Sequence, residues 1–94
     1  MKRVLLLLTK GNEEMEAVSV IDLLRRAKLN TTIAAVHDHH QQQLVECALG
    51  TRIQADTLLS QVDPSSFDAL ILPGGSEAAQ TFSQVNFSVS HLLF

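Results

Sequence analysis

VLLLLTKGNEEMEAVSVIDLLRR, residues 4–26, is the stretch from which the rest of the chain is read. Val4 to Leu8 is apolar throughout, with no alternation of polar and apolar positions. A strand covered by helices on both faces has that composition. Thr9-Lys10-Gly11-Asn12 predicts a sharp turn, with Gly11 able to take a positive φ and Asn12 suited to cap a helix. Glu13, Glu14 and Glu16 crowd the predicted first helical turn, and Arg25, Arg26 and Lys28 the last. Both clusters match the helix macrodipole. Ala17, Val20, Ile21, Leu24 and Ala27 recur at i, i+3, i+4, i+7 and i+10, one apolar face directed at a sheet. The stretch is the opening β-α step of a parallel α/β fold. Its turn falls at the carboxyl end of a strand, where such folds carry their chemistry.

Ninety-four residues make one small domain, and 46% hydrophobic against 18% charged residues is a globular composition. A net charge of −3 supplies no basic surface for nucleic acid. The single cysteine, Cys47, excludes an intrachain disulfide and fits a reducing compartment. The leucines after Met1-Lys2-Arg3 stop at Leu8, too soon for a signal sequence, and no segment is long enough to span a membrane. A cytoplasmic location is expected.

Beyond the helix, Leu29-Asn30 offers a stop, with Asn30 at the left-handed position, and Thr31 to Val36 a second strand, parallel to the first by the right-handed crossover rule. His37 to Gln43 reads as a polar loop. Leu44 to Ala48 and Thr51 to Gln54 read as a hairpin about Leu49-Gly50. Asp56 is expected to cap a short helix, Thr57 to Val62, which Pro64 ends. Phe67 to Leu72 is the third core strand, and Pro73-Gly74-Gly75 turns into a helix capped by Ser76. The tail places Phe87, His91 and Phe94 near helical spacing. With one long helix and one short one, at least one face of the sheet is expected to lie uncovered.

Two turns therefore lie at carboxyl ends of adjacent parallel strands, Lys10 to Glu16 and Pro73 to Glu77. Glu16, near a helix start, is either a solvated glutamate favoured by the dipole or an acid pulled between backbone N–H groups and desolvation. Gly74-Gly75 either satisfies a tight turn or lets a backbone N–H approach a developing oxyanion. Cys47 reads first as a small buried hydrophobe, with Glu46 beside it opposing thiolate formation. His37, Asp38, His39 and His40 are metal-ligand types, but adjacent positions in a loop rarely converge on one ion. Lys10 and Gly11 would suit a phosphate turn, yet the glutamates that follow would repel a dianion, and neither GxGxxG nor GxxxxGK[ST] occurs. No cofactor is expected.

LTKGNEEMEAVSVIDLLRRA, ECALGTRIQAD and DALILPGGSEAAQ, in that order, resemble the ThiJ/PfpI superfamily, in particular its parkinsonism-linked protein deglycase branch. The resemblance implies a flavodoxin-like (class I glutamine amidotransferase-like) α/β sandwich of parallel strands. It implies a homodimer formed through the first helix, Met15 to Arg26, and a nucleophilic cysteine on a strand-to-helix elbow. On this likeness Glu16 is the protonated acid that hydrogen-bonds the nucleophile. Gly75, next to Gly74, supplies an oxyanion-hole amide, and Cys47 is a secondary redox cysteine rather than the nucleophile. The family's activities are glyoxalase without glutathione, removal of early glycation adducts, a contested peptidase activity and redox-linked chaperoning, so small reactive carbonyls or glycated adducts are the expected partners. No A-x-x-C-A-G-type elbow occurs in residues 1–94, which are expected to be the amino-terminal part of one truncated domain, catalytically incomplete alone. The alternative is a non-catalytic, redox-linked binding protein of the stress or chaperone type.

Overall fold

The computed structural model describes residues 2–36, 43–84 and 92–93. In chain order the elements are β1 (Arg3–Thr9), α1 (Glu14–Arg26), β2 (Asn30–Val36), β3 (Leu44–Glu46), β4 (Arg52–Gln54) and β5 (Thr57–Leu58). Two 3-10 turns follow, Leu59–Gln61 and Pro64–Ser66, and then β6 (Ala69–Ile71), α2 (Ser76–Ser83) and β7 (Leu92–Leu93). β1 is the central strand of a parallel sheet ordered β5-β2-β1-β6-β7. β3 and β4 form a separate antiparallel hairpin.

The unbroken leucine run follows directly from this placement. Leu5 and Leu7 point to one face, where they pack with Ala34, Val36, Leu70, Leu72 and the α2 residues Ala78 and Phe82. Leu6 and Leu8 point to the other, against Ile33, Ala35, the α1 residue Ala17 and Val45 of the hairpin. All four leucines are fully buried, so both sides of the strand must be apolar. Val20, Ile21 and Leu24 join Ala17 on the inner face of α1, as their spacing predicts.

Both faces of the sheet carry cover, which corrects the expectation of a bare one. The hairpin folds beside α1, while the segment between β5 and β6 adds Leu59, Val62 and Phe67 to the α2 side. A cleft of about 410 Å³ lies beside β6, lined by Val4, Leu24, Leu29, Ala69 and Ile71 together with Lys2 and Asp68. α1 crosses one face on the way from β1 to β2, whereas the segment returning to β6 crosses the other. The winding therefore reverses between β1 and β6, and the crevice at their carboxyl ends is the switch point where open α/β sheets place ligands.

Several local expectations are overturned. Asn12 does not cap α1: Glu13 does, its carboxylate accepting from the N–H groups of Met15 (3.2 Å) and Glu16 (2.8 Å). The left-handed residue after α1 is Lys28 (φ 64), while Ala27 is the exposed C-cap and Asn30 already starts β2. Gly75, not Ser76, precedes the first residue of α2. Pro64 opens a 3-10 turn capped by Asp63 instead of ending a helix. Thr57–Leu58 is an edge strand paired with Ala34 and Ala35, where a helix was expected. Its β-branched start and the vacant edge of β2 outweigh local helix propensity. Leu92–Leu93 pairs with β6 and so is extended; Phe87, His91 and Phe94, like residues 37–42 of the loop, lie outside the described residues.

Asp56 shows how that edge is held. Its backbone N–H donates to the Ile33 carbonyl (2.8 Å) and its carboxylate accepts the Ile33 N–H (2.8 Å). The side chain thus stands in for a ladder residue. The accompanying Arg25 pair, 3.3 Å and about half exposed, adds little. Serine would serve as a helix cap but cannot reach Ile33, so Asp56→Ser should cost about 1–2 kcal/mol in a denaturant titration. Wild-type stability in that variant would mean that the carboxylate contributes nothing to the edge.

Candidate active site

The switch-point crevice is built from two turns that touch. β1 ends at Thr9, whose hydroxyl donates to the Val36 carbonyl (2.7 Å) and whose N–H donates to Asn12 Oδ1 (2.7 Å). Gly11, at φ 86, lets the chain double back, and the Asn12 N–H returns to the Thr9 carbonyl (3.2 Å). From the other side, Pro73-Gly74-Gly75 leaves β6. Glu13 N–H donates to the Gly74 carbonyl (2.9 Å), and the fully buried Asn12 donates from Nδ2 to the carbonyls of Pro73 (2.7 Å) and Gly74 (3.1 Å).

Glu16 sits in the first turn of α1 with an exposed side chain, as the dipole reading expects, but its carboxylate is engaged. Gly74 N–H donates to Glu16 Oε1 at 2.9 Å across the crevice. A Cβ on Gly74 would stand 2.7 Å from Glu16 Oε2, and one on Gly75 (φ 130) would run into the Gly11 carbonyl oxygen. Gly75 is thus required by its backbone conformation and by close approach to backbone, whereas a side chain at Gly74 would displace only the end of the Glu16 side chain. The Gly75 N–H makes no hydrogen bond to any described residue, which leaves one backbone donor uncommitted beside the Glu16 carboxylate.

Cys47 is elsewhere. It is buried at the end of β3, its N–H bonded to the Thr51 carbonyl (2.7 Å) in the hairpin. Its thiol is pushed above the ordinary 9.0, first by burial and then by the carboxylates of Glu14 and Glu13. Glu46, the neighbour in sequence, instead lies 3.9 Å from Arg52 across the hairpin. Glu14, read from the sequence only as a first-turn dipole partner, has a further role that the sequence did not show. Its Oε2 accepts the N–H of Leu49 (2.7 Å) and of Thr51 (3.3 Å), tying the start of α1 to the hairpin turn. Burial raises its carboxyl, but the N–H groups of Glu14 itself, Thr51 and Leu49 outweigh that and hold it below its ordinary value. Among the described residues no cluster of three His, Cys, Asp or Glu could hold a metal ion, and no helix is long and apolar enough to cross a membrane.

A doubly wound, flavodoxin-like sheet with a carboxylate and a glycine turn joined at its switch point defines the class of α/β proteins that work from that crevice. The chain belongs to the DJ-1/PfpI family, whose model matches residues 2–92. It is 38% identical over 90 residues to protein DJ-1 homolog A of Arabidopsis thaliana, covering 96% of this chain and 22% of that protein. It is 35% identical over 71 residues to the glutathione-independent glyoxalase DJR-1.2 of Caenorhabditis elegans, covering 76% of this chain and 36% of that one. The crystal structure of Drosophila melanogaster DJ-1beta superposes with a TM-score of 0.80 at 34% identity, over 89% of this chain and 44% of that one. The chain thus spans less than half the length of each of these relatives.

Gly75→Ala should cost about 3 kcal/mol or more, because backbone strain and the collision with Gly11 act together. Gly50→Ala, at φ 93 but with nothing within 4 Å, should cost only about 1–2 kcal/mol of strain. Equal losses in a denaturant titration would show that the contact with Gly11 carries no weight. Cys47 gives a pH signature. Its folded pKa lies above the unfolded one, so the stability it contributes is complete below about 9 and is lost as pH rises toward the folded value. Denaturation midpoints should fall as pH rises above about 9, and Cys47→Ala should flatten that slope. An unchanged slope in the variant would show that the thiol is not the titrating group.

Proposed function

We propose that residues 1–94 form the amino-terminal part of a single DJ-1/PfpI domain and supply the acid and oxyanion side of a cysteine-dependent hydrolase or glyoxalase site. The observation that carries this reading is the Glu16 carboxylate held by Gly74 N–H at the switch point, with the Gly75 N–H uncommitted next to it. The substrates are small reactive carbonyls or glycated adducts. A thiolate adds to the carbonyl carbon, Gly75 N–H meets the oxygen that gains negative charge, and Glu16 exchanges the proton that must move. The name of the C. elegans relative supports this substrate class.

Cys47 is not the attacking thiol in this scheme. It is buried in the hairpin and holds its proton above the ordinary value. Those surroundings equally give no support to a redox-linked binding role for it. The nucleophile is assigned to the part of the relatives that these residues do not match, and the setting is a reducing, cytoplasmic compartment.

The purified 94-residue chain should therefore show no methylglyoxal or glyoxal turnover above buffer. Thiol-dependent turnover abolished by Cys47→Ser would overturn the assignment. A chimera in which residues 2–84 replace the matching segment of the C. elegans glyoxalase should consume methylglyoxal, and Glu16→Ala within it should slow kcat by about 100-fold or more. Full activity in that variant would remove Glu16 from the chemistry.

The partner expected on the same reading is a second copy docked through α1. Met15 (76% exposed), Val18 (48%) and Leu23 (64%) leave apolar surface on the helix side turned away from the sheet. Met15→Asp combined with Val18→Asp should shift sedimentation from dimer to monomer. An unchanged sedimentation coefficient would place the interface elsewhere.

A further inference from the structure

We propose that Asn12 is a positioning residue, which aims the Gly75 amide by clamping the other end of the same peptide group. The inference rests on the assignment of that amide to the oxyanion in the proposed function, and deepens it. The Gly74–Gly75 peptide is trans, as no cis bond occurs among the described residues. In a planar trans peptide the carbonyl and the N–H point in opposite directions. Whatever fixes the Gly74 carbonyl therefore fixes the Gly75 N–H. Two donors hold that carbonyl, Asn12 Nδ2 at 3.1 Å and Glu13 N–H at 2.9 Å, both from the turn after β1. The Gly75 N–H is consequently directed away from that turn, and it meets no acceptor among the described residues.

Asn12 is suited to this task in a way that its neighbours are not. Its side chain is fully buried, and three partners determine the orientation of its carboxamide. The Pro73 and Gly74 carbonyls can only accept and the Thr9 N–H can only donate, so Oδ1 and Nδ2 cannot exchange places. The backbone of Asn12 is tied as well, its N–H to Thr9 and its carbonyl to the Ala48 N–H at 2.8 Å. Gly74 in turn gives its own N–H to Glu16. One carboxamide thus sets the relative placement of the acid, the glycine turn and the end of β1. Aspartate at this position has the same shape but presents oxygen to two carbonyl oxygens, and serine is too short to reach them.

The test is amide spectroscopy on the 15N-labelled 94-residue chain without substrate, so its outcome is independent of whether any carbonyl compound is turned over. Gly75 N–H should be both rigid, with an order parameter near about 0.85, and unprotected from solvent exchange. Gly74 N–H, which donates to Glu16, should exchange about tenfold or more slowly than Gly75. In Asn12→Asp and Asn12→Ser the Gly75 order parameter should fall below about 0.6, while amides of β1 and α1 keep theirs. A folded variant with Gly75 still rigid overturns the proposal. If both variants unfold, the wild-type signature decides: a Gly75 amide that is mobile, or protected from exchange, overturns it.

Discussion

The backbone of Gly74 is the point on which the arrangement depends. Its N–H is taken by Glu16 and its carbonyl by Asn12 and Glu13, so a single residue in the turn after β6 is held on both sides by the turn after β1. A side chain at 75 would collide with the Gly11 carbonyl, while one at 74 would meet only the far end of the Glu16 side chain and disturb its hydrogen bond. Neighbouring parallel strands bring two turns to the same end of a sheet, but contact between them requires that one have no side chains to keep them apart.

That contact is affordable because the sheet beneath it is rigid. β1 carries four consecutive leucines with no exposure, two directed to each face. A strand buried in this way cannot slip in register without exchanging its two apolar sets between different neighbours. Its carboxyl end is therefore a fixed reference for Gly11 and Asn12. The hairpin adds a third anchor: Gly11 N–H donates to the Glu46 carbonyl at 3.1 Å, and Glu14 accepts from Leu49 and Thr51. Cys47 is buried between those bonds, its thiol held above the ordinary value first by that burial.

The polar chemistry of the crevice divides between neighbouring glutamates according to what each side chain meets. Glu13 closes the helix start, Glu14 holds the hairpin turn, and Glu16 alone faces the glycine turn. Three carboxylates within four positions would be redundant as dipole partners, and each instead receives a different set of backbone N–H groups. The cluster that argues against phosphate binding thus also builds the crevice.

Much of the fold was determined locally. Continuous apolar runs marked β1 and the core of β6, because strands between two helical layers have no solvent face. The period of Ala17, Val20, Ile21 and Leu24 marked α1, and Gly11 and Gly74-Gly75 marked the two turns. Glu16 and Gly75 came from the family resemblance, which the DJ-1/PfpI match bears out as to family. What tertiary structure alone decided depends on partners distant in sequence. Asn12 and Asp56 both look like helix caps, but their buried or edge partners lie 61 and 23 positions away, at Pro73 and Ile33. Thr57–Leu58 became a strand because β2 offered an edge, and the Cys47 thiol is raised first by burial and then by Glu14 and Glu13 from the start of α1, not by adjacent Glu46. Periodicity and turn chemistry act over a few residues, whereas hydrogen-bond satisfaction and electrostatics act through space, and they become legible only once the chain has folded.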